Sequence, residues 1–262
     1  MTKELEAAMS AAREAGGVLR EGFGRQHSIK YKGEVDLVTE VDEQAERVIR
    51  EILLGAFPSY GMLAEEGGRL SGEEDARWIV DPLDGTTNYA HGLPIFAVSI
   101  ALERAGEAVL GVVHDPIREE TYVAEPGRGA ALNGEPIKVS DTDELIQALI
   151  ATGFPYDREK MPEALELFGR FVALTRGVRR LGSTALDLCY VAFGRLDGYY
   201  ERGIWPWDIA AGSLILEEAG GRVTDYLGGK LDLEGREIVA SNGALHPAMT
   251  KLMEEDGQRE GV

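Results

Sequence analysis

The residues best suited to chemistry lie in 78-WIVDPLDGTTNYAH-91. The apolar run Trp78 to Val80 reads as a buried strand that delivers Asp81 to its carboxyl end. Pro82 stiffens the turn that follows. Asp84 sits where such a turn can bring both carboxylates onto one cation. Gly85 and Thr86 then open a predicted helix, whose unpaired N–H groups and positive dipole end suit a phosphate. One short stretch thus offers two hard oxygen ligands, an anion cradle and a hydroxyl. The same letters also fit an Asp-Pro turn in which Asp84 caps the helix. The Gly-Thr after it and the apolar strand before it weigh against that simpler role.

Two other segments carry acids at element ends. Asp208, in 205-WPWDIAAGSLILEEAGG-221, starts an Ala-rich helix just after two tryptophans. As a plain helix N-cap it would be worth roughly 1 kcal/mol. Ala210, Ala211 and Gly212 would let that helix pack closely against a neighbour. In 62-MLAEEGG-68 a short apolar strand ends in Glu65-Glu66 and two glycines, which alone would fit an exposed acidic loop.

Together the three segments resemble the inositol monophosphatase family of lithium-sensitive, magnesium-dependent phosphatases. W-I-V-D-P-L-D-G-T-T-N-Y is similar to its first signature, and W-D-I-A-A-G with the downstream E-A-G-G to its second. VDLVTEVD at 35–42, GVVHDP, GRGAALNG, RLGSTAL and DGYYE follow in the family's order, so the resemblance spans about residues 5–255. It implies a layered αβαβα sandwich, commonly a homodimer. It also implies two or three Mg²⁺ ions held by Glu65, Asp81, the Leu83 carbonyl, Asp84 and Asp208, with Asp81 bridging two. Such a set is chemically sensible, because Mg²⁺ takes hard oxygen ligands and keeps several waters. One water is then the nucleophile, made more acidic and oriented by the ions. Glu65 and Thr86 are the implied pair that orients and deprotonates it, with Asp42 and Thr39 supporting Thr86. The phosphate rests on the N–H groups of Gly85 and Thr86, beside Asp84, and no covalent phospho-enzyme is needed. Gly182, Ser183 and Thr184 are the implied polyol loop. Glu201 is implied to bind ring hydroxyls, and Asp208 to touch both metal and substrate.

The substrate expectation is inositol-1-phosphate or a related polyol monophosphate. A carboxylate at Glu201 suits hydroxyl donors and would repel a second phosphate, unless Arg202 or a neighbouring subunit's arginine offsets it. Fructose-1,6-bisphosphate hydrolysis, alone or as a dual specificity, is the alternative within the class. Histidinol phosphate and 3′-phosphoadenosine phosphates are more distant relatives. A different class is a partner-binding protein, for instance in transcription machinery, with catalysis secondary.

These side chains need a scaffold. Apolar residues at helical spacing predict helices over 4–22 and 40–54, the second with Thr39 as N-cap. Short β-rich runs at 77–81, 95–102, 108–115 and 121–125 precede a hairpin with Asn133-Gly134 as its turn. From about 145 the pattern alternates: strand 145–152, helices 163–175 and 184–193, strand 198–201, a helix from 207, strand 237–242 and a last helix 247–255. The expected organisation is an α+β half, 1–142, carrying Glu65 and the DPLDGT motif. An α/β half, 143–262, carries Asp208 and the substrate contacts. Trp205 and Trp207 read as packing residues flanking the site. Of the histidines His27, His91, His114 and His246, only His91 falls near the first signature.

Composition narrows the classes. A net charge of −19 argues against a general nucleic-acid or anionic-membrane surface. It would also repel a phosphate ester unless cations held by carboxylates reversed the local field. No apolar run approaches the roughly 20 residues that span a bilayer. The N-terminus lacks a signal-peptide pattern, so the expected location is cytoplasmic. Cys189, alone in an apolar helix, allows no internal disulfide and reads as a buried thiol.

Overall fold

The computed structural model describes residues 1–25, 29–31, 37–155 and 157–257. The first elements follow the helical periodicity. α1 (Lys3–Gly22) buries Leu5, Ala8, Ala12, Ala15 and Leu19 on one face. β1 (Ile29–Tyr31) and β2 (Leu37–Thr39) form a small antiparallel pair, which the hydrophobic pattern did not reveal. α2 (Glu40–Ala56) buries Val41, Ala45, Ile49 and Leu53. Thr39 is its N-cap, in a reciprocal box with Asp42. His27 and positions 35 and 36 of the VDLVTEVD motif lie outside the described residues.

A long meander follows: β3 (Gly61–Ala64), β4 (Gly68–Leu70) and β5 (Ala76–Asp84), then the short α3 (Thr86–Ala90). After it come β6 (Ala97–Arg104), β7 (Glu107–Asp115), β8 (Glu120–Ala124), β9 (Ala130–Leu132) and β10 (Glu135–Pro136). They make an eight-stranded sheet in the order β10-β9-β8-β7-β6-β5-β3-β4. Asn133 and Gly134 form the expected hairpin turn, at φ 51° and 88°. Two left-handed residues match the right-handed twist of the strands they join.

The second sheet has the order β12-β11-β13-β15-β14. Its chain path runs β11 (Leu149–Thr152), α4 (Met161–Leu174), β12 (Gly177–Arg179), α5 (Thr184–Ala192) and β13 (Gly198–Arg202). α6 (Pro206–Glu218), β14 (Arg222–Thr224), β15 (Glu237–Ser241) and α7 (His246–Gly257) complete it. One expectation needs correction here. Residues 145–152 are not a single strand: Leu145–Gln147 is a 3₁₀ turn. It is closed by Gln147 N–H to Glu144 O and Ala148 N–H to Leu145 O, both 2.9 Å. Ile146 consequently faces solvent, whereas Ile150 in the strand proper is buried. β12, β11 and β13 are parallel, but β15 runs antiparallel to both β13 and β14, so the sheet is mixed.

Three apolar clusters define the layers. α1 and α2 cover one face of the first sheet. α5 and α6 fill the space between the sheets, and α4 and α7 cover the outer face of the second. The result is the αβαβα sandwich. α6 is apolar around most of its circumference, as a middle-layer helix must be. Its small residues admit close neighbours. A Cβ added at Gly212 would lie 2.8 Å from Leu188, and one at Gly111 of β7 would lie 2.7 Å from the Ala211 carbonyl. Among the described residues no helix is long and apolar enough to cross a membrane.

Candidate active site

Sheet register brings the first acids together. β3 and β5 are parallel, with Ala64 opposite Val80, so their carboxyl ends leave the sheet side by side. Glu65 continues the pairing through its N–H to the Val80 carbonyl at 3.2 Å, which sets it level with Asp81. On its other edge β5 pairs with β6, and the register slips between Asp81 and Asp84. Pro82 has no N–H to donate to the ladder, so a bulge is its natural place. The Leu83 N–H turns inward and bonds Asp81 Oδ1 at 2.9 Å. Gly85 then adopts φ 102°, and a Cβ there would meet the Ile95 and Gly182 carbonyls at 2.9 and 3.1 Å. Only glycine fits that turn.

The second sheet supplies the remaining residues from one edge. β11, β12 and β13 are parallel, so the segments after Thr152, Arg179 and Arg202 all emerge at the same end. These are the strand ends where ligands gather in open α/β sheets. Gly182, Ser183 and Thr184 lead into α5. Ser183 Oγ and the Ala185 N–H both donate to Asp84 Oδ2, at 2.6 and 2.7 Å. Asp84 therefore does not cap α3, whose N-cap is Gly85; it takes the positive end of α5 from the other half. Asp208 is the third residue of α6, not its N-cap, and accepts the Trp205 N–H at 2.8 Å. Asn88 ties the halves further, donating to the Leu181 and Ile95 carbonyls at 2.7 and 2.8 Å.

A single cleft, with about 840 Å³ of empty volume, collects Glu65, Asp81, Leu83, Asp84, Gly85, Thr86, Gly182, Ser183, Thr184, Glu201 and Asp208. Thr39 and Asp42 stand just behind it. Thr86 Oγ1 lies 3.1 Å from Asp42 Oδ1 and 3.0 Å from the Leu83 carbonyl. Asp42 Oδ2 in turn accepts from both the N–H and the hydroxyl of Thr39, at 3.0 and 2.5 Å. Across the cleft, Glu201 accepts hydrogen bonds from the Tyr199 hydroxyl and, at 3.2 Å, from Thr184.

The electrostatics are those of acids crowded out of water. Asp81 is pushed well above the usual carboxylate range by burial first, then by the charges of Glu65, Asp84 and Asp208. Asp208 is likewise pushed well up, by burial and then by Asp84. Burial raises Asp84 to about 6, against the lowering effect of the Ser183 and Ala185 hydrogen bonds. Asp42 rises to about 6 and Glu201 to about 7, burial again being the largest cause. A cation among these oxygens would offset both the desolvation and the mutual repulsion. The donor set fits a hard divalent ion: all oxygen, without sulfur or imidazole. Among the described residues no three His, Cys, Asp or Glu side chains already close into a cage. Asp81, Asp84 and Asp208 each commit one oxygen to a protein N–H or hydroxyl, so each has another to offer.

Several residues escaped the sequence reading. Arg180, Asp187, Gly153, Thr152, Phe154 and Thr87 also line the cleft. Asp187 is a lone acid inside the apolar run ALDLCYVAF. Its Oδ1 is buried without a hydrogen-bond partner, and burial raises it well above the usual range. Gly153 matters because a Cβ there would overlap the Glu201 carboxylate. Arg202 is held within the chain. It pairs with Glu163 and Glu237 and lies over the Tyr226 ring at 4.5 Å. Trp205 and Trp207 do flank the cleft and stack with centroids 5.2 Å apart, Trp205 being 42% exposed. His91 is exposed and outside the cleft lining, while His114 and His246 are buried elsewhere. Cys189 is a buried thiol pushed up by desolvation, as an inert core residue is.

Comparison with known proteins agrees with this geometry. The model of the inositol monophosphatase family matches residues 1–258. The inositol-1-monophosphatase of Mesorhizobium japonicum is 44% identical over 255 residues, covering 96% of each chain. The Nus factor SuhB of Pasteurella multocida is 42% identical over 245 residues, covering 92% of each. The structure of extragenic suppressor protein suhB from Bartonella henselae superposes with a TM-score of 0.94 at 40% identity. It covers 97% of this chain and 99% of that one. With both signatures folded into one acidic cleft and the likeness running end to end, the chain belongs to the inositol monophosphatase family of phosphoric monoester hydrolases.

Proposed function

We propose that the chain hydrolyses inositol-1-phosphate, or a closely related polyol monophosphate, with Mg²⁺ and without a covalent intermediate. The observation that carries this reading is the convergence of Glu65, Asp81, Asp84 and Asp208 in one cleft that Glu201 also lines. Glu65, Asp81, the Leu83 carbonyl, Asp84 and Asp208 would hold two or three ions. When bound, the ions neutralise phosphate charge and raise the acidity of an attacking water. The chain supplies the rest. Asp42 Oδ1 can take the Thr86 hydroxyl hydrogen, which leaves the Thr86 lone pairs to orient that water, and the Glu65 carboxylate takes the proton it loses. The Gly85 and Thr86 N–H groups receive the phosphate. Glu201, with Gly182, Ser183 and Thr184, binds the polyol hydroxyls.

Arg202 is committed to Glu163 and Glu237 and does not line the cleft, whereas Arg180 does and acts on Glu201, so fructose-1,6-bisphosphate stays the alternative substrate. Leu165 and Val172 on α4, 52% and 49% exposed, offer an apolar face that a second copy would cover. We therefore infer a homodimer. One observation favours a second role: a relative of the same length and similar identity carries the name Nus factor. A phosphate-release panel of inositol-1-phosphate, fructose-1,6-bisphosphate and p-nitrophenyl phosphate, with Mg²⁺ and with excess EDTA, tests the proposal. Turnover that survives EDTA would remove the metal mechanism. An inert protein that captures a transcription complex at physiological salt would favour the partner role.

A further inference from the structure

Glu201 and Asp208, the two cleft acids from the second sheet's β13–α6 connection, are joined by the segment 202–207. One residue far along the chain grips that segment at consecutive positions. Arg236 follows the 3₁₀ turn Leu233–Gly235 and stands opposite Gly203 where β13 and β15 pair. Its carbonyl accepts the Gly203 N–H at 2.8 Å. Its guanidinium returns the contact twice, with Nη2 donating to the Gly203 carbonyl at 3.2 Å and Nε to the Ile204 carbonyl at 3.3 Å. The same group lies over the Trp205 ring, 3.6 Å from its centroid. Trp205 then passes the constraint on, because its N–H holds Asp208 Oδ2 at 2.8 Å and its carbonyl accepts the Asp208 N–H at 3.1 Å.

Two features mark this as more than a surface arginine. Arg236 sits at φ 61°, a left-handed conformation that side chains other than Gly, Asn and Asp seldom adopt. In a chain of net charge −19, its guanidinium is spent on backbone carbonyls and an indole face, with no carboxylate partner among the described residues. The planar fork serves two carbonyls and a ring at once, which an ammonium does not.

We infer that Arg236 is a positioning residue. It clamps residues 203–205 so that Asp208 keeps the orientation a metal ligand needs, and so sets the affinity of the ion that Asp208 holds. The inference rests on the metal reading above. Groups that orient metal ligands typically control about 10–100-fold in metal affinity.

The test uses the full-length protein and Mn²⁺ as probe, followed by calorimetry and by the electron paramagnetic resonance of free Mn²⁺. Arg236→Gly removes the guanidinium while suiting the left-handed backbone better, so it should fold. It should weaken the Mn²⁺ site that includes Asp208 about tenfold, leave the site built on Glu65 and Asp81 within about twofold, and alter the near-ultraviolet dichroism of the tryptophans. Arg236→Lys should fall between the two. Unchanged affinity at both sites would overturn the inference. Equal weakening of both sites with a lowered melting temperature would also overturn it, by assigning Arg236 a general structural role. Asp81→Asn, run alongside, reports on the metal reading itself. If it binds Mn²⁺ as the wild type does, the ions are not held where we place them, and the inference falls with that reading regardless of the Arg236 variants.

Discussion

The two halves of the site are built by different means. Glu65, Asp81 and Asp84 come from adjoining strands of the first sheet, and ladder register and a proline bulge fix their spacing. Glu201 stands near the end of β13 and Asp208 in the first turn of α6, joined by the short turn 203–205, and a few local bonds aim their carboxylates: the Trp205 N–H to Asp208, the Tyr199 and Thr184 hydroxyls to Glu201. Sheet register is set by many cooperative bonds, whereas a loop is set by a few. The first half should therefore hold its cation tightly with little adjustment, and the second half should be tunable, which suits substrate choice and a weaker second ion.

The comparison is tested most severely by Asp81→Asn. Asp81 is buried against the charges of Glu65, Asp84 and Asp208, so its charge should be present for the cations alone. Loss of several kcal/mol of charge stabilisation corresponds to about a 10³-fold drop in kcat/KM. In EDTA the same variant should melt no lower than the wild type, because the buried charge repulsion is relieved. Calorimetry in EDTA checks this. A variant that unfolds would mean that Asp81 serves the bulge and not the ions.

A second test concerns the base of the second half. His246 bridges the last two strands, with Nε2 2.9 Å from Thr224 Oγ1 and Nδ1 3.0 Å from Ser241 Oγ. Burial, and secondarily Arg222, lowers its pKa to about 4 from an ordinary 6.5. Between those values the unfolded chain binds the extra proton, so the stability present above pH 6.5 is lost as the pH falls toward 4. The loss should reach about 2–3 kcal/mol. The cleft acids act in the opposite sense, so the measurement is the difference in denaturation midpoint between wild type and His246→Gln across that window. A difference that stays constant with pH would show that His246 titrates normally.

Several local features of the site were legible in the sequence. The strand before Asp81, the Pro82 turn, the Thr39 cap and the Asn133-Gly134 hairpin all follow from local chemistry. What the sequence concealed depends on contacts between distant segments. The three-residue strands β4, β12 and β14 are too short to show a period. Asp187 hides in an apolar helix. Gly153 is needed only because Glu201 lies against it, and Arg202 could not be assigned until Glu163 and Glu237 were beside it.

Substrate choice should respond to the second half alone. Glu201→Gln keeps the shape but loses charged hydrogen bonds to ring hydroxyls, worth roughly 1.5–3 kcal/mol each. It should lower kcat/KM for inositol-1-phosphate about tenfold or more and spare p-nitrophenyl phosphate, which has no ring hydroxyls. Gly153→Ala should reproduce the pattern by displacing the carboxylate without removing it. If all three esters of the panel fall together, Glu201 belongs to the chemistry and the halves are not separable in this way.

The smallest effect concerns the looser ion. Asp208 reaches the cleft on α6, a segment far in sequence from Asp81 and Asp84, so the ion it would hold depends on both segments meeting. A small monovalent cation competes best where the divalent site is least complete. Family resemblance points to Li⁺ as that competitor, and the geometry points to the Asp208 side as the place. At fixed, subsaturating Mg²⁺, LiCl should reduce turnover several-fold where NaCl at equal ionic strength screens only the surface charge. Raising Mg²⁺ after inhibition separates two cases. Recovery would mean direct competition at the looser site. Inhibition that persists would mean that Li⁺ occupies the site after the first product has left. Equal effects of LiCl and NaCl at every Mg²⁺ concentration would contradict a distinct weak site, and with it the contrast between a register-built half and a loop-built half.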